Sequence, residues 1–203
     1  MTFLKSRAVV VLAGAIDVDL NEYITAEDYV IAVDGGLDHL ERFGTTADIL
    51  IGDLDSVATS YPGEVKQFDP VKDDTDFKCS LDYIQANNIA STIVVFGFAS
   101  LNRIDHVFAN IANIIPNVTF ISNNQQITLI DQDTVFEQDE YRYYSFFALE
   151  VIDEFSLVGF KYPLDMYCLH PLDPLCISNE LEQKTGKIKI SNGSLIVIKS
   201  LDN

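Results

Sequence analysis

The succession of apolar segments along the chain restricts its possible folds more than any other feature of the sequence. In the first part, short runs rich in β-forming residues alternate with segments in which apolar residues recur at helical spacing. The runs are almost continuously apolar, which is typical of strands that are covered on both faces. They comprise residues 8–13, 29–33, 49–51, 92–96 and 118–121. This alternation predicts a parallel or mostly parallel sheet flanked by helices, with ligands at the carboxyl ends of the strands.

Three segments between these runs carry apolar stripes at the spacing of an α-helix. The first stripe stops at Gly44 and the third at Pro116, and both residue types commonly end helices. The stripes consist of Leu37, Leu40 and Phe43, of Phe77, Leu81 and Ile84, and of Ile104, Val107, Phe108, Ile111 and Ile115. The sequence therefore predicts helices beside the sheet at these three places.

After about residue 122 the helical spacing disappears, and short strand-like runs follow. They comprise residues 127–130, 143–151, 187–190 and 195–199. Asn192-Gly193 stands between the last two runs and is typical of the turn of a β-hairpin. The predicted fold class is thus α/β, with a mostly parallel α/β domain at residues 1–122 and a smaller all-β domain at residues 123–203.

Composition excludes several classes of protein. The 203 residues carry a formal net charge of −18 at pH 7 and no cluster of Lys and Arg, so nucleic acid and anionic membranes are poor partners. Cys79, Cys168 and Cys176 form no C-x-x-C pair, which favours a reducing cytoplasm over a disulfide framework. We expect no signal peptide, since the first apolar run ends in Asp17 and Asp19 without a cleavage pattern. No apolar stretch approaches the roughly 20 residues that cross a bilayer, so we expect a soluble protein.

Two motifs with glycine or acidic residues follow the second and third predicted strands. In Asp34-Gly35-Gly36, the two glycines let the main chain approach a ligand closely, although a tight strand-to-helix turn explains them as well. Asp53 and Asp55 stand two positions apart at a strand end and point to the same side, where they offer the oxygen ligands that Mg²⁺ prefers. The alternative, a helix cap at Asp55 or Ser56, leaves Asp53 unexplained.

Two further charged motifs stand at the starts of predicted helices. Residues 72–76 read Lys-Asp-Asp-Thr-Asp, and they could complete a metal site, hold a cation or form the acidic first turn that a helix dipole favours. In the second motif, Arg103, His106 and Asn110 share the helix face opposite the apolar stripe, so that they can reach a common ligand. The guanidinium of Arg103 suits polyphosphate oxygens. A solvated helix with one internal ion pair is the alternative.

The motifs AVDGG, ADILIGDLDS, KDDTD and RIDH, in this order and with a following Asn, resemble the thiamin pyrophosphokinase family. The resemblance continues through GFKYPL at residues 159–164 and ISNE at residues 177–180. It implies an α/β nucleotide-binding domain followed by a β-sandwich domain that binds thiamin and forms the dimer. It also implies transfer of a pyrophosphoryl group from ATP to the hydroxyl of thiamin, with Mg²⁺ as cofactor and release of AMP. It further implies a homodimer whose active sites include residues of both subunits.

The resemblance also assigns roles to individual residues. Those implied in catalysis are Asp53, Asp55, Asp76 and Arg103, and those implied in holding Mg²⁺ are Asp53, Asp55 and Asp74. The residues implied in binding ATP are Asp34, Gly35, Gly36, Ser56, Lys72, Thr75, Arg103, Asp105, His106 and Asn110. Thiamin would meet Asp76, Tyr162, Ser178 and Asn179. The ring of Tyr162 suits this role because an aromatic face attracts a cationic heterocycle.

The sequence departs from the family in one place and leaves two other functions open. Members usually carry a glycine pair before the arginine of the fourth motif, where this chain has Leu101-Asn102 and one extra residue. The first alternative is a haloacid-dehalogenase-like phosphatase, in which Asp53 is the nucleophile and Asp55 the acid and base. Against it, the next acidic motif follows after only about twenty residues. The second alternative is a sensor that binds nucleotide or thiamin without turnover.

Overall fold

The structure is a computed structural model that describes residues 5–53, 61–69 and 73–201. The chain divides into two compact units, Met1–Asn123 and Asn124–Asn203. In the described ranges, no helix is both long enough and apolar enough to cross a membrane.

The first unit is built on a parallel sheet. Its strands are β1 (Ala8–Val11), β2 (Tyr29–Val33), β3 (Ile49–Gly52), β4 (Glu64–Gln67), β5 (Ile93–Phe96) and β6 (Val118–Ile121). They lie in the order β4-β3-β2-β1-β5-β6, and each neighbouring pair is parallel. The strand order therefore reverses between β1 and β5, which is where open α/β sheets form a ligand-binding crevice. The α/β prediction is confirmed, whereas β4 was not predicted because it is an exposed edge strand without an apolar run.

Helices α1 (Gly36–Phe43) and α2 (Asp76–Ala86) pack on this sheet as their stripes predict. Leu37 and Leu40 of α1 are buried, and α1 ends at Gly44, which has a positive φ of 68°. In α2, Phe77, Leu81 and Ile84 are buried, as their helical spacing predicts. Burial of these stripes against the sheet supplies most of the stability of both helices.

Helix α3 (Ile104–Ala112) forms where it was predicted, but its apolar stripe does not enter the core. The structure describes every residue of α3 and none of them is buried. Ile104 is 53% exposed and Phe108 is 68% exposed. The helix also ends at Ala112, before Pro116, so Ile115 lies outside it. The stripe has the predicted spacing, but the sheet leaves it largely uncovered.

The second unit contains two antiparallel sheets. Its strands are β7 (Gln125–Ile130), β8 (Thr134–Glu137), β9 (Tyr143–Ala148), β10 (Ile152–Val158), β11 (Leu164–Leu169), β12 (Thr185–Ile190) and β13 (Leu195–Ser200). Within this unit the strand orders are β7-β13-β9 and β11-β10-β12-β8. Tyr144, Phe146, Phe155 and Phe160 are fully buried and come from both sheets or the loops between them, so the two sheets share one aromatic core.

The prediction of a β-hairpin at Asn192-Gly193 is wrong. The chain does turn there, and Gly193 has a φ of 77°. However, β12 pairs with β8 and β10, while β13 pairs with β7 and β9, so the turn connects two different sheets. The side chain of Asn192 explains the difference, because it bonds to the main chain of Val151 and Asp153 instead of closing a two-stranded ribbon.

Candidate active site

The loops that follow β1 and β5 are joined by main-chain hydrogen bonds at the point where the strand order reverses. The amide of Gly14 donates to the carbonyl of Gly97 over 2.8 Å, and the amide of Ala15 donates to the carbonyl of Ala99 over 2.9 Å. A Cβ atom on Gly14 would stand 2.3 Å from the Gly97 oxygen. A Cβ atom on Gly97, whose φ is 69°, would stand 2.2 Å from the Leu12 oxygen. The two loops can therefore approach each other only because both glycines lack side chains.

A cleft of about 570 Å³ opens above this junction. Of the residues predicted to act in catalysis or to bind ATP, those that line it are Asp34, Asp53, Thr75, Asp76, Arg103, His106 and Asn110. They come from the ends of β2 and β3, the start of α2 and one face of α3. The structure thus brings together residues that lie up to 76 positions apart in the sequence, since the set begins at residue 34 and ends at residue 110.

One side of the cleft is acidic. Asp34 has a φ of 46°, and its carboxylate lies so close to Gly52 that a Cβ atom there would stand 1.6 Å from Oδ1. The carbonyl of Asp53 accepts a hydrogen bond from Nε2 of Gln67 over 3.2 Å, which ties the end of β3 to the edge strand. Asp76 contributes a third carboxylate, and its Oδ1 is buried. The cleft therefore offers hard oxygen donors of the kind that Mg²⁺ prefers.

These carboxylates do not form a closed metal cage. Within the described ranges, no three His, Cys, Asp or Glu side chains converge closely enough to hold an ion alone. Mg²⁺ usually keeps several waters and is held by one or two carboxylates together with substrate phosphates, so a sparse donor set fits it. Asp55, which was predicted to be a ligand, lies outside the described residues, and Asp74 is exposed and absent from the described cleft lining.

Arg103 supplies the positive charge on the other side of the cleft. Its Nε lies 3.1 Å from Oδ1 of Asp105, and its Nη2 lies 2.9 Å from Oδ2. The Arg103 hydrogen bond is the main reason that the pKa of Asp105 is lowered to about 2, and the same bond raises the pKa of Arg103. Nη2 of Arg103 also contacts Nε2 of His106. The guanidinium is therefore held by its own helix at the edge of the cleft.

Asn110 links α3 to the loop after β5. Its Nδ2 donates to the carbonyl of Phe98 over 3.2 Å, across 12 positions of sequence. Phe98 is itself buried and packs against the ring of Phe120, with 5.0 Å between the ring centroids. The side chain of Asn110 consequently helps to fix the loop that forms the floor of the cleft.

Comparisons with known proteins cover most of the chain. The family model described as thiamin pyrophosphokinase, catalytic domain, matches residues 20–129. The model described as thiamin pyrophosphokinase, vitamin B1 binding domain, matches residues 130–197. This chain belongs to the thiamin pyrophosphokinase family. The family predicted from the sequence motifs is confirmed, and neither the phosphatase nor the sensor alternative is favoured.

Individual relatives are similar to this chain over nearly its whole length. The thiamine pyrophosphokinase of Bacillus subtilis is 32% identical over 91% of this chain and 92% of that protein. A crystal structure of thiamine pyrophosphokinase from Bacillus subtilis has 30% identity and a TM-score of 0.85, and covers 98% of this chain and 100% of its own. One from Geobacillus thermodenitrificans has 28% identity and a TM-score of 0.86, and covers 97% of this chain and 98% of its own.

The departure from the thiamin pyrophosphokinase motif before Arg103 is absorbed in a turn. The amide of Arg103 donates to the carbonyl of Ser100 over 3.2 Å, which closes a four-residue turn around Leu101 and Asn102. Leu101 is 93% exposed, while Ser100 and Arg103 both line the cleft. Leu101 therefore projects outward, and Arg103 lies at the cleft.

Several predicted residues lie elsewhere. Asp105 is absent from the described cleft lining and contacts Arg103 instead. Gly35 and Gly36 are also absent from that lining, and a Cβ atom on Gly36 would stand 1.9 Å from the Val11 oxygen, so this glycine allows α1 to approach β1. Ser56 and Lys72 lie outside the described residues.

The residues predicted to bind thiamin, Tyr162, Ser178 and Asn179, belong to the second unit. Tyr162 is 59% exposed, Ser178 is exposed with a φ of 54°, and Asn179 is buried. The amide of Ser178 donates to Oγ of Ser145 over 3.0 Å, which holds the segment against β9.

Sequence reasoning missed the residues that form the floor of the cleft, including Gly14, Gly97, Phe98 and Ser100. A signal for two of them was present. Gly14 directly follows the predicted strand 8–13, and Gly97 directly follows the predicted strand 92–96, much as Gly35 follows the predicted strand 29–33 after one intervening residue. Phe98 and Ser100 carry no comparable signal, because their place depends on the pairing of the two loops.

Proposed function

We propose that this protein transfers the pyrophosphoryl group of ATP to the primary hydroxyl of thiamin and releases AMP. The observation that carries the proposal is the cleft at the strand-order reversal, which combines a fixed guanidinium with several carboxylates. Pyrophosphoryl transfer requires mainly positioning and neutralisation of charge, and these are the functions that such groups perform. The match of the vitamin B1 binding model to residues 130–197 supports thiamin as the acceptor.

In this proposal the polyphosphate of ATP lies above the junction of the β1 and β5 loops. Gly14 and Gly97 let the two loops meet beneath the polyphosphate, and Arg103 neutralises phosphate oxygens from the α3 side. Asp105 and His106 act through Arg103, because they hold its guanidinium in place. Asp34, Thr75 and Asn110 complete the ATP site, together with Gly35, Gly36, Ser56 and Lys72, as the sequence resemblance implies.

Asp53, with Asp55 and Asp74 as the resemblance implies, would hold Mg²⁺. When bound, the ion neutralises charge on the polyphosphate during transfer. Asp76 faces the cationic thiamin, and either Asp76 or Asp55 accepts the hydroxyl proton during attack on the β-phosphorus. The strongly acidic chain, with its net charge of −18, attracts a cationic acceptor over long range.

We assign ATP binding and catalysis to residues 1–122, and thiamin binding and dimerisation to a β-sandwich at residues 123–203. We further propose a cytoplasmic homodimer with shared active sites. None of the three cysteines, which all lie in the described ranges, forms a disulfide, as suits a reducing compartment. Leu101, Ile104 and Phe108 are exposed together at α3, and an apolar patch of this kind is typical of a contact surface.

Incubation with ATP, Mg²⁺ and thiamin tests the reaction directly. We expect AMP and thiamin diphosphate in equal amounts, and no AMP when thiamin is omitted. Release of inorganic phosphate from simple phosphate esters would instead support the phosphatase. Binding of both ligands in calorimetry without AMP would support the sensor.

Subunit mixing tests the shared sites. Asp53→Asn and Tyr162→Ala chains are unfolded and refolded together in equal amounts, and size measurements check that subunits have exchanged. Activity is assayed at a thiamin concentration well below the KM of the parent, where each variant alone is only weakly active. If each site joins Asp53 of one subunit to Tyr162 of its partner, about half the dimers are mixed and each has one intact site, so activity rises towards about a quarter of the parent value. Activity that stays at the average of the two variants would place each site within one chain.

A further inference from the structure

Tyr162 needs support from its main chain, because packing does not hold its side chain. The side chain is 59% exposed. Tyr162 lies two positions after Phe160, which forms an isolated β-bridge with Leu181. Nζ of Lys161 lies 5.6 Å from the centroid of the ring, and this lysine is itself exposed. An exposed ring on a loop moves with the main chain that carries it, so its range of positions depends on how firmly that main chain is held.

The side-chain amide of Asn179 supplies that support. Its Oδ1 accepts from the amide of Tyr162 over 3.1 Å, and its Nδ2 donates to the carbonyl of Tyr162 over 2.8 Å. Oδ1 also accepts from the amide of Glu180 over 2.9 Å. One side chain thus pairs with both main-chain groups of Tyr162, as a neighbouring strand would. Three of the four hydrogen-bonding positions of this amide are occupied in this way.

Asn179 is in turn fixed to the core of the second unit. Its main-chain amide and carbonyl both bond to Tyr144, over 2.9 Å and 2.8 Å. Tyr144 is fully buried in the aromatic core, and its hydroxyl donates to Asp139 over 3.1 Å. Asn179 itself is only 3% exposed. A continuous set of hydrogen bonds therefore leads from the core through Asn179 to Tyr162.

We infer that Asn179 is a positioning residue for Tyr162 and that its amide orients the ring instead of binding thiamin itself. The inference rests on the proposed function, since Tyr162 is the residue that would stack on thiamin. It changes the role that the sequence resemblance gave to Asn179, from a pocket-lining group to a support of its neighbour. The burial and the three hydrogen bonds of the amide are the reason.

Fluorescence tests the support without any ligand. The chain contains no Trp, so Tyr162→Trp introduces a single reporter at this position. In that background, Asn179→Ala should lower the fluorescence anisotropy of the reporter at a temperature where circular dichroism shows the protein folded. Asn192→Ala is the matched control, because Asn192 also bonds to main-chain groups of two other residues but lies in the turn before β13. It should leave the anisotropy unchanged. Equal anisotropy in Tyr162→Trp with and without Asn179→Ala would overturn the inference.

Asn179→Asp provides a second variant if Asn179→Ala does not fold. It keeps the shape and the acceptor but replaces the donor with an oxygen that faces the Tyr162 carbonyl. We expect the same loss of anisotropy in the reporter background. A reporter as immobile as in Tyr162→Trp alone would show that the amide does not hold the main chain at this position.

Kinetics separates positioning from direct contact. In the otherwise unchanged chain, Asn179→Asp should raise the KM for thiamin about tenfold, on the scale of one lost hydrogen bond, and leave the KM for ATP unchanged. In a Tyr162→Ala background, Asn179→Asp should add little, because its effect passes through the ring. An equal increase in both backgrounds would mean that Asn179 contacts thiamin directly. If the parent chain does not turn over thiamin at all, the proposed function is wrong, whereas the anisotropy experiment still tests the support.

Discussion

The two units form their proposed binding sites by opposite means. In the first unit the site depends on missing side chains, because Gly14 and Gly97 allow two loops to bond through their main chains. In the second unit it depends on one added side chain, because the amide of Asn179 takes the place of a neighbouring strand beside Tyr162. The first arrangement should be damaged by one extra carbon atom, and the second by loss of one polar group.

The largest effect on stability is expected at the glycine junction. Gly97 and Gly44 have nearly the same φ, 69° and 68°, so alanine brings similar backbone strain to both, about 1 kcal/mol. At Gly97 the new Cβ also stands 2.2 Å from the Leu12 oxygen, whereas at Gly44 no described atom lies within 4 Å. Gly97→Ala should therefore lower the free energy of unfolding by about 3 to 4 kcal/mol, and Gly44→Ala by about 1 kcal/mol. Urea denaturation measures both, and equal losses would show that the close approach is not required.

Asp53→Asn should mainly affect the chemical step. We expect kcat to fall at least about a hundredfold, because a carboxylate that holds the metal contributes several kcal/mol of charge stabilisation in the transition state. Unfolding in urea should be unchanged. Asp38→Asn, an exposed carboxylate on α1, is the control and should keep full activity. Turnover within a fewfold of the parent in Asp53→Asn would remove this residue from the metal site.

Tyr162→Ala should affect substrate binding and not the chemical step. The KM for thiamin should rise about five- to thirtyfold, which corresponds to about 1 to 2 kcal/mol for a ring stacked on a cation. The KM for ATP should change little, and Tyr162→Phe should be mild. A strong fall in melting temperature with an unchanged KM for thiamin would instead assign the ring to the core.

Asp105→Asn should have a smaller effect that is confined to ATP. We expect a fewfold increase in the KM for ATP, because Arg103 loses its fixed partner but keeps its charge. The pKa of Asp105 is lowered, so its pairing with Arg103 is complete above pH 4 and is lost only as the pH falls towards about 2. The KM for ATP should therefore not change between pH 5 and pH 8 through this pair. An increase in the KM for thiamin equal to that for ATP would show that Asp105 does not act on ATP binding through Arg103.

The smallest effect is expected at Lys78, a charged neighbour of the acidic side of the cleft. Lys78 pairs with Asp82 one turn further along α2, and both side chains are partly exposed. Pairs of this kind contribute about 0.5 kcal/mol or less, so Lys78→Ala should be nearly silent in both urea denaturation and turnover. A large loss of kcat at unchanged stability would bring Lys78 into the site.

The sequence predicts much of the first unit because its signals are local. An apolar run followed by glycine marks a strand end, and the stripes of α1 and α2 face the sheet as their spacing indicates. The exposed stripe of α3 has the same spacing, so periodicity alone cannot show that the sheet leaves it uncovered. Tertiary contacts determine such cases.

In the second unit, long-range contacts determine more of the structure than local sequence signals do. Asn192-Gly193 has the local signal of a hairpin, but the side chain of Asn192 bonds to Val151 and Asp153, and the flanking strands enter different sheets. Asn179 likewise resembles a ligand-binding residue in the sequence, and only its partners at Tyr162 and Tyr144 give it another role. Each of these contacts joins residues at least 17 positions apart in the sequence.

The central position of β1 also has a consequence for biosynthesis. Among the strands of this sheet β1 is translated first, yet Ala8 pairs with Ile93, 85 residues later. Until β5 has been translated, one edge of β1 stays open, and open apolar edges are prone to pair with other chains. Contacts of such long range also slow folding, because a large loop must close before they form. The bond from Ala15 to Ala99 can form only at that late stage, so the nascent chain completes the proposed ATP site after most of the first unit has already been made.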